Sequence, residues 1–435
     1  MGGCCRHLHY ALYDLLVNRP EFHPVLTRTC SIIVLIVTLS CPALGENWPL
    51  WRGPRGDGTS LEKNVPTQWS SAQNVVWKTP IPGKGHASPI VWNDRVFVVT
   101  ADKERKQRLL LCLDKSDGRI LWQHVVLEAS LERVNSLNSY ASSTPATDGA
   151  RVYVSFLDVD QMFIAAYDFD GKRIWTVHPG AFASMHGYCS SPVLWKDKVI
   201  INGDHDGSGY LVALDRATGQ TLWKTPRPNQ TRSYCTPLIG PMGGRNQAVL
   251  SGSKCVAGYD PDTGKQLWII DGPTEQFVAS LVYNGELLFM TCGFPQFFMQ
   301  AIRPDGTGNI TKTHVVWQKD KDCSYVPSPI AVGPYFLVVS DTGIATCLDA
   351  ASGRSVWRER LGPHYSASCV TANGLAYFLS DKGVMTIVRP GPNLEIVARN
   401  TLDEETFASP AISDGRLFLR GVTHLYCISE SRSSK

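Results

Sequence analysis

The sequence contains no Gly-x-Ser-x-Gly, P-loop or His-Glu-x-x-His pattern, which removes the usual hydrolase and nucleotide-binding classes. It also lacks Cys-x-x-Cys and Cys-x-x-Cys-His spacings, so neither a zinc site nor an attached haem is supported. Nine of the 13 cysteines lie beyond residue 45, an odd number in no framework pattern, and no disulfide scaffold is expected. Charge of one sign never gathers. The net charge of +3 is spread along the chain with no basic stripe, which excludes nucleic acid and anionic membrane as expected partners.

No apolar run in the first 45 residues is long enough for an ordinary transmembrane helix. Ser31–Leu39 is short, follows Arg28, and leads to the small residues Ala43-Leu44-Gly45. That order is the pattern of an export signal over residues 1–45, with a mature start at Glu46 and a periplasmic or cell-surface destination. Cys41 offers an alternative as a lipidated residue, the one membrane contact the sequence provides.

What is present is repetition. A phrase of small residue, Asp, Gly and Trp recurs at Cys112–Trp122, Ala166–Trp175, Ala213–Trp223, Gly258–Trp268 and Cys347–Trp357. A second phrase, Ser or Thr before Pro, stands at Ser88, Thr144, Ser191, Thr236, Ser328 and Ser409, with degenerate copies at Ser280-Leu281 and Ser368-Cys369. That makes eight units. After each second phrase come β-forming runs with a polar turn in their middle, which read as a hairpin. The Asp–Gly phrase adds a third strand, a turn and a fourth strand. Repeats of this period with four strands each predict an all-β fold, an eight-bladed β-propeller of four-stranded antiparallel blades.

Each residue type has a physical reason. Gly supplies the positive φ of the turn, and Asp caps its amides. Trp77, Trp122, Trp175, Trp223, Trp268, Trp317 and Trp357 fill the joints between blades. The small residue two before the Asp leaves room for the Trp. Cys112, Cys347 and Cys427 take that slot, where other units have Ala166, Ala213, Gly258 and Ala301. The eighth unit lacks a closing strand, and Asn74–Thr79 with Trp77 is spare at the other end. The N-terminal strand is therefore expected to close the ring, sparing two open sheet edges. The domains read as leader 1–45, N-terminal segment 46–73, propeller 74–428 and tail 429–435.

The phrase Ala-x-Asp-x-x-x-Gly-x-x-x-Trp resembles the tryptophan-docking repeat of the pyrroloquinoline quinone (PQQ) propeller superfamily, over essentially all of 74–428. The opening Trp48–Ser60 is similar to the start of exported bacterial proteins with PQQ-like repeats. The resemblance implies the eight-bladed fold, and it covers both quinoprotein dehydrogenases and non-catalytic scaffold lipoproteins of the barrel-assembly machinery. The dehydrogenases hold the quinone under a disulfide of adjacent cysteines and bind Ca²⁺ through Glu, Asn and Asp. Here the only adjacent pair, Cys4-Cys5, lies in the leader. No cofactor is therefore expected, and PQQ with Ca²⁺ stays as the alternative.

Just before each first strand stands an aromatic residue or His: His86, Tyr140, Tyr188, Tyr234, Phe277, Tyr325, Tyr365 and Phe407. His186, Arg232 and Glu275 flank them. Innermost strands line a propeller's axis, so these side chains are expected to converge on a funnel mouth that receives a protein or small-molecule ligand. The competing reading is that the ring seals gaps between blades. Asp204–Gly209 places oxygen ligands at alternate positions, as a calcium loop does, but lacks the later acid and reads as a turn. No catalytic or metal residue is assigned. The expected function is a monomeric exported module for binding or scaffolding. The alternatives are a PQQ- and calcium-dependent dehydrogenase of alcohols or sugars, and a sugar- or polymer-binding surface protein.

Overall fold

The computed structural model describes residues 45–430, apart from 72, 229, 253 and 273. Residues 1–44, with most of the expected export signal and Cys41, therefore lie outside the described residues. Among these residues every regular element is a strand, and the strands form eight sheets. The blades occupy 90–128, 146–177, 193–226, 238–271, 282–319, 330–360, 370–401 and 411–428. The expected closure is present: Val75–Pro80 pairs antiparallel with His424–Ile428 and becomes the fourth strand of blade eight. Blade four gains an addition, Gly308–Asn309, which pairs parallel to its outer strand.

Turn chemistry follows the residues. Asn373-Gly374 and Asp414-Gly415 both take positive φ, the backbone that a two-residue hairpin needs. In the Asp–Gly phrases the carboxylate accepts amides two or three residues on, as Asp215 does from Ala217 (3.0 Å) and Thr218 (2.8 Å). Across the ladder, each Trp faces the small residue of its own blade: Trp122 opposite Cys112, Trp223 opposite Ala213, Trp77 opposite Cys427. A bulge beside this pair recurs, at Cys112/Leu113 and Ala213/Leu214 among others, and it turns the Trp toward the next blade.

There the indole lies on the next blade's glycine. A Cβ on Gly118 (φ 74°) would come within 2.5 Å of Trp77, and one on Gly353 (φ 69°) within 2.6 Å of Trp317. Trp77, Trp122, Trp175, Trp317 and Trp357 also donate Nε1 to a backbone carbonyl of the following blade, at 2.9–3.2 Å. Trp268 departs from the expectation. It donates instead to Gln247 of its own blade (2.5 Å) and occupies the space that Gly258 leaves. It still lies in the buried cluster shared with blade five.

At the axis a second lock appears. The backbone N–H of Ser88 donates to the Thr144 hydroxyl, Thr144 to Ser191, Ser191 to Thr236, and Thr236 to Ser280. The series goes on from Ser280 to Ser328, Ser368 and Ser409, every bond 2.8–3.1 Å. The Ser/Thr-Pro phrase is thus a belt of blade-to-blade hydrogen bonds.

The segment before the ring is ordered against its far end. Trp48 exchanges two backbone bonds with Val91 of blade one, and Thr147 of blade two donates to Pro49. Arg52, 1% exposed, donates to the carbonyls of Ser328 and Pro329 in blade six. Gly58 and Ser60 bond Thr371 of blade seven. Residues 48–60 therefore plug the axis at the end opposite the lead-in loops.

Replacing Trp77 with Ala is expected to cost about 3–5 kcal/mol, as for a large aromatic lost from a core. Trp223→Ala should match it in urea unfolding. A Trp77→Ala protein with the wild-type midpoint would show that Val75–Pro80 does not hold the ring shut.

Candidate functional site

The plug turns the axial channel into a blind cavity of about 570 Å³. Trp51 forms its floor, the hydroxyls of the belt form its waist, and the lead-in loops form its mouth. Of the residues expected there, His86, His186, Arg232, Tyr234 and Tyr325 line the cavity, together with Phe407. Five others are placed elsewhere. Phe277 is 0% exposed in the core between blades four and five. Tyr188 is buried edge-on to Phe182 and donates to the Ser155 hydroxyl (3.2 Å). Tyr365 is 0% exposed in the core between blades six and seven. Tyr140 packs on the blade one–two core with the Arg108 guanidinium 5.9 Å from its ring centre. Glu275 faces Lys254 in a separate surface pocket.

The cavity also takes residues that the repeat phase does not reveal. Trp51 comes from the plug, Met185 and Phe294 from lead-in and hairpin loops, and Asp341 from the loop after the second strand of blade six. Tyr325 donates its hydroxyl to Gln276 Oε1 (2.9 Å), and Tyr234 pairs with the Ser184 hydroxyl (2.9 Å). Arg232 is held by Asp206. His86 stacks on Phe407 with ring centres 4.5 Å apart, and its Nδ1 lies 3.2 Å from the Leu137 carbonyl.

Burial sets the protonation states. His86 is pushed down to about 4, by desolvation with Arg420 and Lys84 adding to it, and His186 is lowered for the same leading reason. Both imidazoles are neutral at pH 7. Burial raises Asp341 from the usual carboxylate value, although the amides of Tyr325 (2.8 Å) and Val326 (3.1 Å) oppose the shift. The Cys189 thiol, at the cavity wall, is pushed up to about 12 and is no thiolate. Ser366, His364 and Asp381 lie together, but the serine hydroxyl donates to the carboxylate (3.0 Å), so the serine is not bonded to the base that would activate it.

The turn at Asp204–Gly209 resolves in the same way. Asp204 is bound by Arg227 at 3.0–3.2 Å, Asp206 by Arg232, and His205 by the Ser208 carbonyl (3.2 Å) and the Ala183 amide (3.3 Å). Both acids already carry a cation partner. Among the described residues no three His, Cys, Asp or Glu side chains are grouped as metal ligands, and all the cysteines are free thiols. The single cavity-lining carboxylate, Asp341, accepts two amides. These residues do not fit the calcium-held quinone of the dehydrogenases.

Fold and site together define a PQQ-like repeat propeller with a closed central funnel. The chain belongs to the outer membrane protein assembly factor BamB family, whose model matches residues 67–156 and 105–358. The assembly factor BamB of Shewanella oneidensis is 23% identical over 299 residues, 63% of this chain and 70% of that protein. A polyvinylalcohol dehydrogenase of Pseudomonas sp. is 23% identical over 282 residues, 54% of this chain and 41% of that protein. The chain spans about half the length of the polyvinylalcohol dehydrogenases it matches. A solved europium-containing methanol dehydrogenase superposes with a TM-score of 0.64 at 14% identity, covering 87% of this chain and 90% of that one. That likeness is one of fold.

The depressed His86 gives a pH signature. An unfolded histidine binds its proton near 6.5 and the folded one near 4, so stability is retained above about pH 6.5 and lost as pH falls from 6.5 to 4. The loss is expected to be about 3 kcal/mol. His86→Phe, which keeps the stack on Phe407, should flatten that part of a plot of unfolding free energy against pH. An unchanged slope would show that His86 is not the titrating group.

Proposed function

We propose that the chain is an exported binding module that receives a segment of a partner protein in its funnel, with no chemistry of its own. The contrast between mouth and interior carries this reading. Leu137, Met185 and Phe294 at the mouth are 51%, 44% and 48% exposed, with Phe297 close by in sequence at 51%. Large apolar side chains left to water around a cavity mark a place that another molecule covers. Inside, the walls are hydroxyls, amides and aromatic edges, without a nucleophile bonded to a base. Kinship with a protein named as an outer membrane protein assembly factor supports a protein as the partner. The Arg28, Ser31–Leu39 and Ala43–Gly45 order supports export, and sequencing the mature protein should give Glu46 first.

The test is cross-linking of tagged protein in the cell envelope. The double variant Met185→Glu, Phe294→Asp should lose its cross-linked partner, since such anchors carry about 2 kcal/mol or more each. Its stability should stay within about 0.5 kcal/mol of wild type, because both residues are surface-exposed. Undiminished capture would place the interface elsewhere. Uptake of PQQ with Ca²⁺ by the purified protein, with oxidation of an alcohol, would overturn the non-catalytic reading.

A further inference from the structure

The belt hydroxyls are half used. Each of those from Thr144 to Ser409 accepts one amide, yet a hydroxyl also has a proton to donate. None of those protons has an acceptor among the described residues. All of these hydroxyls except that of Ser280 belong to residues lining the cavity. The Ser88 hydroxyl, also at the cavity wall, has no hydrogen-bond partner among the described residues. The waist of the funnel is thus a ring of unmatched donors, and what fits it must bring acceptors.

Three guanidiniums with unmatched N–H groups stand around the cavity. Arg52, whose Cζ is 5.8 Å from the centre of the Trp51 floor, is held only by carbonyl oxygens. Arg420, 1% exposed in blade eight, has three guanidinium nitrogens without a partner and lies near enough to His86 to depress its basicity. Arg232 keeps Asp206 but leaves a buried Nε free. Each guanidinium has a carboxylate near it outside the wall, Asp57 by Arg52, Glu404 by Arg420 and Asp206 by Arg232, and within the wall itself Asp341 is the one carboxylate, with both oxygens already engaged. A buried guanidinium with unmatched N–H groups is costly, and an incoming acceptor offsets that cost.

We propose that the funnel binds the carboxyl-terminal end of a partner polypeptide, with the terminal carboxylate at the hydroxyl belt and the preceding side chains against the apolar mouth. This rests on the protein-binding reading above and adds the chemistry of what enters. The blind floor admits a chain end rather than a threaded strand. The exposed Leu137, Met185 and Phe294 suit a chain that continues outward, which a small free acid does not do.

The test uses two pools of degenerate synthetic hexapeptides, one with free carboxyl termini and one amidated, passed over the immobilised full chain. The acid pool should be retained about tenfold better, the worth of one hydrogen bond to a charged group. Ser88→Ala removes a donor without touching the belt's amide acceptors, so it should lower acid-pool retention about tenfold at an unchanged melting temperature. Arg232→Gln should act in the same direction. Equal retention of both pools, lost in Met185→Glu, overturns the carboxylate assignment and leaves the protein-binding reading standing. Retention of neither overturns both. Acid-pool retention that survives Ser88→Ala and Arg232→Gln also removes the carboxylate from the belt.

Discussion

The structure turns on a problem at its axis. Eight sheets converge with their innermost strands side by side, and no further strand fits between them to take the inward amides. A buried amide without an acceptor costs about 1–3 kcal/mol. The Ser/Thr hydroxyls answer this by accepting from the blade before, at 2.8–3.1 Å across seven of the eight joints. A longer side chain there would fill the channel, and an apolar one would leave the amide bare. Pro at the next position is tolerated because no amide is needed from it at that point. One solution to a backbone constraint thus fixes blade spacing and also decides that the central cavity is walled with hydroxyls.

The outer half of each joint follows from size rather than hydrogen bonding. An indole needs an opposite residue no larger than Cys on its own blade and a bare glycine on the next. Where the opposite residue shrinks to Gly258, Trp268 falls back into its own blade, and Gln247 captures its N–H. The joint is kept by burial alone, so the lock tolerates a changed geometry as long as the area stays covered.

The fold was legible because its determinants are local and periodic. The Ser/Thr-Pro phrase counted the blades, and the stranded Trp77 foretold the closure with Cys427 opposite it. The site was legible only in part. Tyr188, Tyr234 and Tyr365 share one place in the repeat, yet Tyr234 lines the funnel while the other two enter the core. Their lead-in loops differ in length and course, and a loop residue's direction is set by its neighbours rather than by strand alternation. Trp51, Met185, Phe294 and Asp341 come from outside the repeat phase, and only the assembled ring brings them together. No periodic reading could find them.

The plug has a consequence for how the chain acquires its structure. Residues 48–60 leave the ribosome early, but their contacts lie on blades one, two, six and seven, and Val75–Pro80 pairs with the last strand of all. Pairing over such sequence separation is slow, because loop closure must precede the contacts that reward it. This segment, made before the ring, is therefore the last to settle, and it waits with Trp48, Trp51 and an open strand edge exposed. A chain cut short before its last blade would keep the plug's partners on blades one, two, six and seven and still have no closed ring.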